Sequence, residues 1–281
     1  LLLLTSYVFD PSIEDFFGTL LYGATLHIAE KNLIVNSESF CDYVDQHQID
    51  IINFIPTVLK ELLCTNRKLK SLRTVISGGE RLEESLKDEL IYRGYELYNN
   101  YGPAETTVDA LSIKCSEENV SLGKPISNVR CYILDKDQNL SPIGIPGELY
   151  IAGAGVARGY LNMPESTNDK FMNDPFIPNE RMYKTGDLGR WNRNGEIEFL
   201  GRSDHQIKIR GYRIEVAEIH NLLLKHIHIQ DAAVIDWEND KGKKLLCAYI
   251  VSNAQINSKN LREYLSEELP DYMVPSYYIQ L

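Results

Sequence analysis

Cysteine is scarce and scattered. The five residues (Cys41, Cys64, Cys115, Cys131, Cys247) form no CxxC pair and have no histidine at ligand spacing, which argues against a zinc module or a disulfide framework. They read as buried thiols of a reducing compartment, so a cytoplasmic location is expected. The apolar opening, Leu-Leu-Leu-Leu, has no basic flank and no initiator Met, and it is far too short for a signal or membrane segment. It reads as a central parallel strand, and the chain is expected to be a piece of a longer one. Positive charge is also in deficit: 29 Lys and Arg against 40 Asp and Glu give a net charge of −11. That argues against general affinity for nucleic acid or anionic membrane and leaves room for a local basic groove around a nucleotide. No GxxxxGK[ST], GxSxG or HExxH occurs, so P-loop, nucleophile-elbow and zinc-protease chemistry have no support. GAGVARG at 153–159 has its third glycine one residue late and no acid at the ribose spacing, which removes the dinucleotide reading.

What is present is ordinary globular material, 43% hydrophobic and 25% charged over 281 residues, enough for one large domain or two. Strand and helix patterns alternate through the first part. Ser12 is a candidate N-cap with Glu14 and Asp15 in the first turn; Ser37 or Ser39 can start a second helix, and Pro56 a third. Strands are expected near 24–28, 49–55 and 72–76, the last running into Ser77-Gly78-Gly79-Glu80, followed by a helix over 82–92. Beyond residue 110, short strands at 131–134, 148–151, 183–184 and 196–200 are separated by Gly/Pro turns. From about 203 a compact unit follows: an alternating strand at 206–210, a break at Gly211, a helix from Val216, then strands at 232–237 and 245–251, a helix at 258–268 and a last strand at 277–281. The expected fold class is α/β: a parallel-sheet layer plus a small β-rich subdomain, followed by a compact α+β C-terminal domain. The stretch 201–219, GRSDHQIKIRGYRIEVAEI, taken alone is as well read as a solvated charged strand as a functional element.

Six segments supply the context: FDPS at 9–12, NNYGPAETT at 99–107, GELYIAGAGVARGYL at 147–161, YKTGDL at 183–188, GRSDHQIKIRGYRIEVAEI at 201–219 and LPDYMVP at 269–275. In this order they resemble the core motifs of the adenylate-forming (AMP-binding) superfamily, and more narrowly the amino-acid adenylation domains of nonribosomal peptide synthetases. The resemblance implies ATP-dependent activation of an amino acid as aminoacyl-AMP, with Mg²⁺, and transfer to the phosphopantetheine thiol of a carrier domain beside other synthetase domains. It assigns 1–202 to the C-terminal portion of the large AMP-binding domain and 203–281 to the mobile C-terminal domain.

By the same resemblance, the loop Asn99, Asn100, Tyr101, Gly102, Pro103, Ala104 and Glu105 meets the nucleotide. Tyr101 would stack on adenine and Glu105 would hold the metal; read alone, they are a core aromatic and a solvated loop acid. Ala104 stands where the family usually has Thr. Asp187 would accept the ribose hydroxyls, or merely cap its turn. Gly78 and Gly79 would let backbone approach the base, or simply turn strand into helix. Phe199, where relatives often carry Tyr, and Arg202 would lie near the nucleotide; Asp204 would be the hinge, and Arg213 would meet phosphate in one orientation. Asp10 would pair with the substrate ammonium, or be a plain helix N-terminal acid. The side-chain pocket would comprise Pro11, Glu14, Asn53, Ile76, Gly78, Asn100, Val108 and Asp109, and its extra carboxylates Glu14 and Asp109 point to an ornithine- or lysine-like substrate. The family's phosphate loop and its NGK-type lysine are not among these residues, so the chain alone is expected to bind ATP weakly and not to turn over. An acyl- or aryl-CoA ligase of the superfamily and a non-catalytic nucleotide-binding module remain alternatives.

Overall fold

The structure is a computed structural model that describes all residues except 31, 32, 34, 35, 64–66, 205, 210 and 239–243. The chain divides into two compact units, Leu1–Ser203 and Asp204–Leu281.

In the first unit, seven strands form one sheet: β1 (Leu2–Leu3), β2 (His27–Ile28), β3 (Ile51–Phe54), β4 (Thr74–Ser77), β5 (Glu96–Tyr101), β6 (Leu111–Lys114) and β7 (Lys124–Pro125), in the order β2-β1-β3-β4-β5-β6-β7. The pairs from β2 to β5 are parallel, and β6 and β7 are antiparallel additions. Alternation in β4 and β5 puts Val75, Ser77, Leu97 and Asn99 on a fully buried face. There Val75 and Leu97 pack with helices α2 (Ser37–Gln46), α3 (Pro56–Leu62) and α4 (Glu84–Tyr92) in a core that includes Phe40, Val44, Leu59 and Leu86. Asn36, not a serine, caps α2, accepting from the N–H groups of Glu38 and Ser39.

The helix α1 (Pro11–Leu21) departs from the expected start. Asp10 holds the N-cap position without a side-chain capping bond, Pro11 opens the helix, and Ser12 sits inside the first turn with its hydroxyl donating to Phe9 O at 2.7 Å. Proline at the first helical position supplies a preset φ, so no serine cap is needed. The polarity of α1 is inverted. Ser12, Asp15 and Thr19 are buried, while Ile13, Phe16, Phe17, Leu20 and Leu21 are exposed.

A second, antiparallel sheet completes this unit: β8 (Val129–Leu134), β9 (Gly147–Gly153), β10 (Phe171–Asn173), β11 (Arg181–Trp191) and β12 (Ile197–Arg202) run in the order β10-β11-β9-β8, with β12 also on β11. Helix α5 (Pro164–Lys170) lies between β9 and β10 in sequence. GAGVARG therefore leaves an antiparallel strand, not a βαβ unit, which agrees with setting the dinucleotide reading aside.

In the second unit the break at Gly211 makes a hairpin instead of a strand-to-helix turn. With φ of +76° at Gly211, β13 (Ile207–Ile209) folds back on β14 (Tyr212–Ile214), pairing Ile207 with Ile214 and Lys208 with Arg213. Arg210 lies outside the described residues. Helix α6 (Val216–Leu224) follows and buries Val216, Ile219, Leu222 and Leu223, as its spacing predicts. A three-stranded sheet of β15 (Ile229–Glu238), β16 (Lys244–Ser252) and β17 (Tyr277–Gln280), with α7 (Ser258–Ser266), closes this core. The α/β reading of the sequence holds: a parallel layer, a β-rich portion and a compact α+β unit. Among the described residues, no helix is long and apolar enough to cross a membrane.

Candidate active site

Several predicted residues of the first unit, among them Asn53, Ile76, Gly78, Asn100, Tyr101 and Asp187, lie at or against the carboxyl ends of β3, β4 and β5, where open α/β sheets bind ligands. Three groups of contacts build the site.

The first joins the two sheets. Tyr101, the last residue of β5, donates its hydroxyl to Asp187 Oδ2, and the Arg202 guanidinium reaches Asp187 Oδ1 at 2.6 Å and Thr185 O at 3.1 Å. The β11–β12 register places Asp187 opposite Arg202. Burial, then the neighbouring Asp187 carboxylate, raises the Tyr101 phenol well above its usual range, so it stays a donor at neutral pH. The ring is less open than the expected adenine platform. It is only 9% exposed and packs with Ala110, Leu111, Ile133, Leu149 and Ile151, because its anchored hydroxyl draws it toward the second sheet. Each Asp187 oxygen already accepts one bond, and a carboxylate has capacity for further donors. Phe199 is half-buried on β12, opposite Gly189.

The second group surrounds Glu105, in a 3-10 turn over Ala104–Thr106 that follows Pro103. Glu105 Oε1 accepts from Tyr160 Oη at 2.6 Å and from Tyr183 Oη at 2.8 Å. Ala104 is exposed. Gly102 is required here, since a Cβ would stand 2.1 Å from Val108 O.

The third group is the predicted pocket. Alternation carries Asn53 of β3, Ile76 of β4 and Asn100 of β5 onto one face, while Asn99 points to the other, where its amide donates to Ser121 O at 2.7 Å. Asn99 and Asn100 thus face opposite sides of the sheet, and Asn100 shares the face of Asn53 and Ile76. Gly78 lets the chain pass close to β5, where a Cβ would meet Asn100 O at 3.2 Å, and Gly79 has a φ of +78°. The Asn100 amide donates to Asp109, and Ser112 Oγ donates to Asn100 Oδ1 at 2.7 Å. Glu14 and Asp109 lie within hydrogen-bonding reach of each other, with Asp10 in range of both. Burial, then Glu14, pushes the Asp109 carboxyl up to about 7, and burial likewise raises Glu14. Thr107 and Val108 both have φ of +65°, costly for a β-branched residue and common where a binding loop is over-determined. Pro11 begins α1 beside this group.

Two further site features were not read from the sequence: the tyrosines on Glu105, and Asp15 behind the pocket. Asp15 is 2% exposed; Oδ1 accepts from Asn53 Nδ2 at 2.9 Å, and Oδ2 has no hydrogen-bond partner among the described residues. Burial pushes its carboxyl from 3.8 up to about 7. A carboxyl raised in the folded state stabilises fully below its unfolded value, and that contribution is lost as pH rises through the folded value. Asp15→Asn should therefore gain stability relative to wild type between about pH 4 and pH 8, by roughly 2–4 kcal/mol, measured by urea unfolding at each pH. A pH-independent difference would count against it.

Of the remaining predicted residues, Arg213 lies on β14 of the second unit, 3.7 Å from Glu215, and Asp204 is that unit's first residue, its carboxylate accepting from the Gln206 N–H at 3.2 Å. Four cysteines are described and all are free; Cys64 lies outside the described residues.

A largely parallel sheet with polar loops at its strand ends, joined through Asp187 to a β-rich portion, defines an α/β architecture. Sequence comparison gives the family. The profile of AMP-binding enzymes matches residues 1–161, and that of the AMP-binding enzyme C-terminal domain matches 218–281. The chain belongs to the AMP-binding enzyme family. It is 46% identical over 287 residues to gramicidin S synthase 2 of Brevibacillus brevis, covering 99% of this chain and 6% of that protein. To tyrocidine synthase 1 of Brevibacillus parabrevis it is 43% identical over 288 residues, covering 99% of this chain and 26% of that protein. The chain therefore spans only a small part of these relatives. Among solved structures, a four-domain nonribosomal peptide synthetase bound to AMP and glycine matches at TM-score 0.69 and 35% identity, over 100% of this chain and 21% of that one. An o-succinylbenzoate CoA synthetase from Bacillus subtilis matches at TM-score 0.89 and 25% identity, over 100% of this chain and 56% of that one. The resemblance carried by the six motifs holds for the family and for its peptide-synthetase relatives.

Proposed function

We propose that this chain is part of an adenylation domain of a nonribosomal peptide synthetase that activates a basic α-amino acid, ornithine- or lysine-like, with ATP. The observation that carries the substrate class is the convergence of Asp10, Glu14 and Asp109, with Glu14 and Asp109 raised by burial and by neighbouring carboxylates. Such a cluster is costly until cations enter it. Asp10 would take the α-ammonium, and Glu14 with Asp109 the side-chain ammonium. The peptide synthetase structure with AMP and glycine supports amino-acid activation by this fold.

In the reaction, the substrate carboxylate attacks the α-phosphorus of ATP, the bond to pyrophosphate breaks, and aminoacyl-AMP forms. A carrier-domain phosphopantetheine thiol then attacks the acyl carbon and AMP leaves. The chain's own work is positioning. Asp187, held by Tyr101 and Arg202, would accept the ribose hydroxyls; the remaining exposed part of Tyr101 and the backbone at Gly78 and Gly79 would border the base. Glu105 fits a Mg²⁺ ligand. Among the described residues no group of three or more His, Cys, Asp or Glu side chains could hold a metal ion; Glu105 would supply one carboxylate ligand, and Mg²⁺ commonly takes one or two carboxylates together with phosphate and water. Bound Mg²⁺ would neutralise phosphate charge. We assign 1–202 to the large domain and 203–281 to the mobile one, with Asp204 as hinge and Arg213 meeting phosphate in one orientation.

Amino-acid-dependent pyrophosphate exchange by the protein containing these residues tests the proposal: ornithine or lysine should be favoured over phenylalanine and valine, and the reverse preference sinks the substrate assignment. The 281-residue chain alone should bind ATP weakly without exchange, since it carries neither the family's phosphate loop nor its lysine segment. The likeness to a CoA synthetase supports a second reading, an acyl-CoA ligase; CoA-dependent AMP release would select it.

A further inference from the structure

Glu105 is held by more than its own turn. Two hydroxyls from separate elements, Tyr160 from the loop after β9 and Tyr183 from β11, both lie within 2.8 Å of its Oε1 and 3.4 Å from each other. Neither ring is loose. Tyr183 is fully buried. Phe171 serves as a common wall, its centroid 5.4 Å from the Tyr160 ring and 5.0 Å from the Tyr183 ring, with the Arg181 guanidinium over it at 5.3 Å. The backbone behind Tyr160 is fixed as well. Its N–H donates to Thr167 Oγ1 at 2.9 Å, and Gly159 has a φ of +136°, where a Cβ would fall 2.4 Å from Thr167 Cγ2. Glu105 itself is pinned through its carbonyl, which accepts from the Ala157 N–H at 2.8 Å.

The chemistry of this arrangement is directional. A phenol beside a carboxylate acts as a neutral hydrogen-bond donor. Two neutral donors on one oxygen stabilise the carboxylate as an anion and fix its plane without neutralising it, as a cationic partner would. Partners of this kind around a metal ligand set its orientation, and their removal typically weakens metal binding about 10–100-fold.

We propose that Tyr160 and Tyr183 are positioning residues that fix the Glu105 carboxylate for the divalent cation that would accompany the nucleotide. This rests on the reading of Glu105 as the metal ligand, and the experiment separates the two. ATP binding to the protein is measured by calorimetry across a Mg²⁺ titration for wild type, Glu105→Gln, Tyr160→Phe, Tyr183→Phe and the double Phe variant, with thermal unfolding of each. Each single Phe variant should shift the Mg²⁺ midpoint upward by about tenfold and the double variant further, while Mg²⁺-free ATP binding stays at the wild-type level. If Glu105→Gln abolishes the Mg²⁺ dependence but the Phe variants keep the wild-type midpoint, the positioning role is wrong and the metal reading survives. If wild type and Glu105→Gln respond alike to Mg²⁺, both fail. A Tyr183→Phe protein that loses stability without moving the midpoint marks the hydroxyl as structural only, which also overturns the proposal; the exposed-side partner Tyr160→Phe provides the readout if Tyr183→Phe does not fold.

Discussion

Glu14→Gln combined with Asp109→Asn is expected to lower exchange with ornithine or lysine by about 100-fold or more in kcat/KM, while neutral amino acids of similar length lose little or gain. The magnitude follows from deleting the anionic partners of a desolvated cation, a change that costs several kcal/mol where water cannot substitute. The single variants should fall short of the pair, because Glu14 and Asp109 act on each other and coupled sites are not additive. The pH dependence has a defined sign. In the empty pocket the raised carboxyls favour holding a proton, Asp109 being pushed up to about 7. A cationic side chain favours the fully ionised pair, so binding releases a proton, and affinity for lysine should rise as pH goes from about 6 to 8. The double variant should flatten that rise. Calorimetry of lysine binding in buffers of different ionisation enthalpy would register the released proton. A wild-type affinity that falls over the same range, or a double variant that retains lysine preference, would defeat the assignment. Asp10→Asn should behave differently, weakening every α-amino acid alike, because under the proposal Asp10 would pair with the α-ammonium they share.

Much of this is legible in the sequence. The order of the six motifs carries the family, and it is the family resemblance that names Asn53, Ile76 and Asn100 together; the strand registers then put them on one face. The failures were of other kinds. Asn99 and Asn100 are adjacent in one motif, and only the register shows that they face opposite ways, with Asn99 donating to the Ser121 carbonyl. The hairpin at 207–214 hid because its second strand, Tyr-Arg-Ile, is too short to show a period, and the turn depends on the φ of one glycine. In α1 the inverted polarity misleads any rule that buries the apolar face. Asp15 was passed over as a first-turn acid, yet its partner is 38 residues away. The tyrosines on Glu105 come from 55 and 78 residues downstream, and a convergence of that range leaves no mark on local sequence.

Asp187→Ala should be the most damaging single change in the nucleotide cluster, lowering stability by about 3–5 kcal/mol and abolishing measurable ATP binding. Arg202 and Asp187 are largely buried, with side-chain exposures of 13% and 7%, and removing one member of a buried pair leaves the other charge poorly compensated. The Tyr101 hydroxyl loses its acceptor in the same step. The link between the two sheets is therefore weakened at one carboxylate, and the stability loss follows from position as well as charge. Asp187→Asn should cost less, since the amide oxygen can still accept one bond, but it carries no charge against Arg202. Combining Asp187→Ala with Arg202→Met should recover part of the loss, because the stranded charge goes with it. Urea unfolding of the four proteins, with ATP titrations in parallel, tests each link. If Asp187→Ala unfolds within about 1 kcal/mol of wild type, the cluster is not what joins the sheets. If it unfolds as expected but still binds ATP with unchanged affinity, the carboxylate is structural and the ribose must be held elsewhere. Loss of both, with stability partly restored by Arg202→Met and binding not restored, is the outcome expected of a residue that serves the fold and the ligand with the same two oxygens.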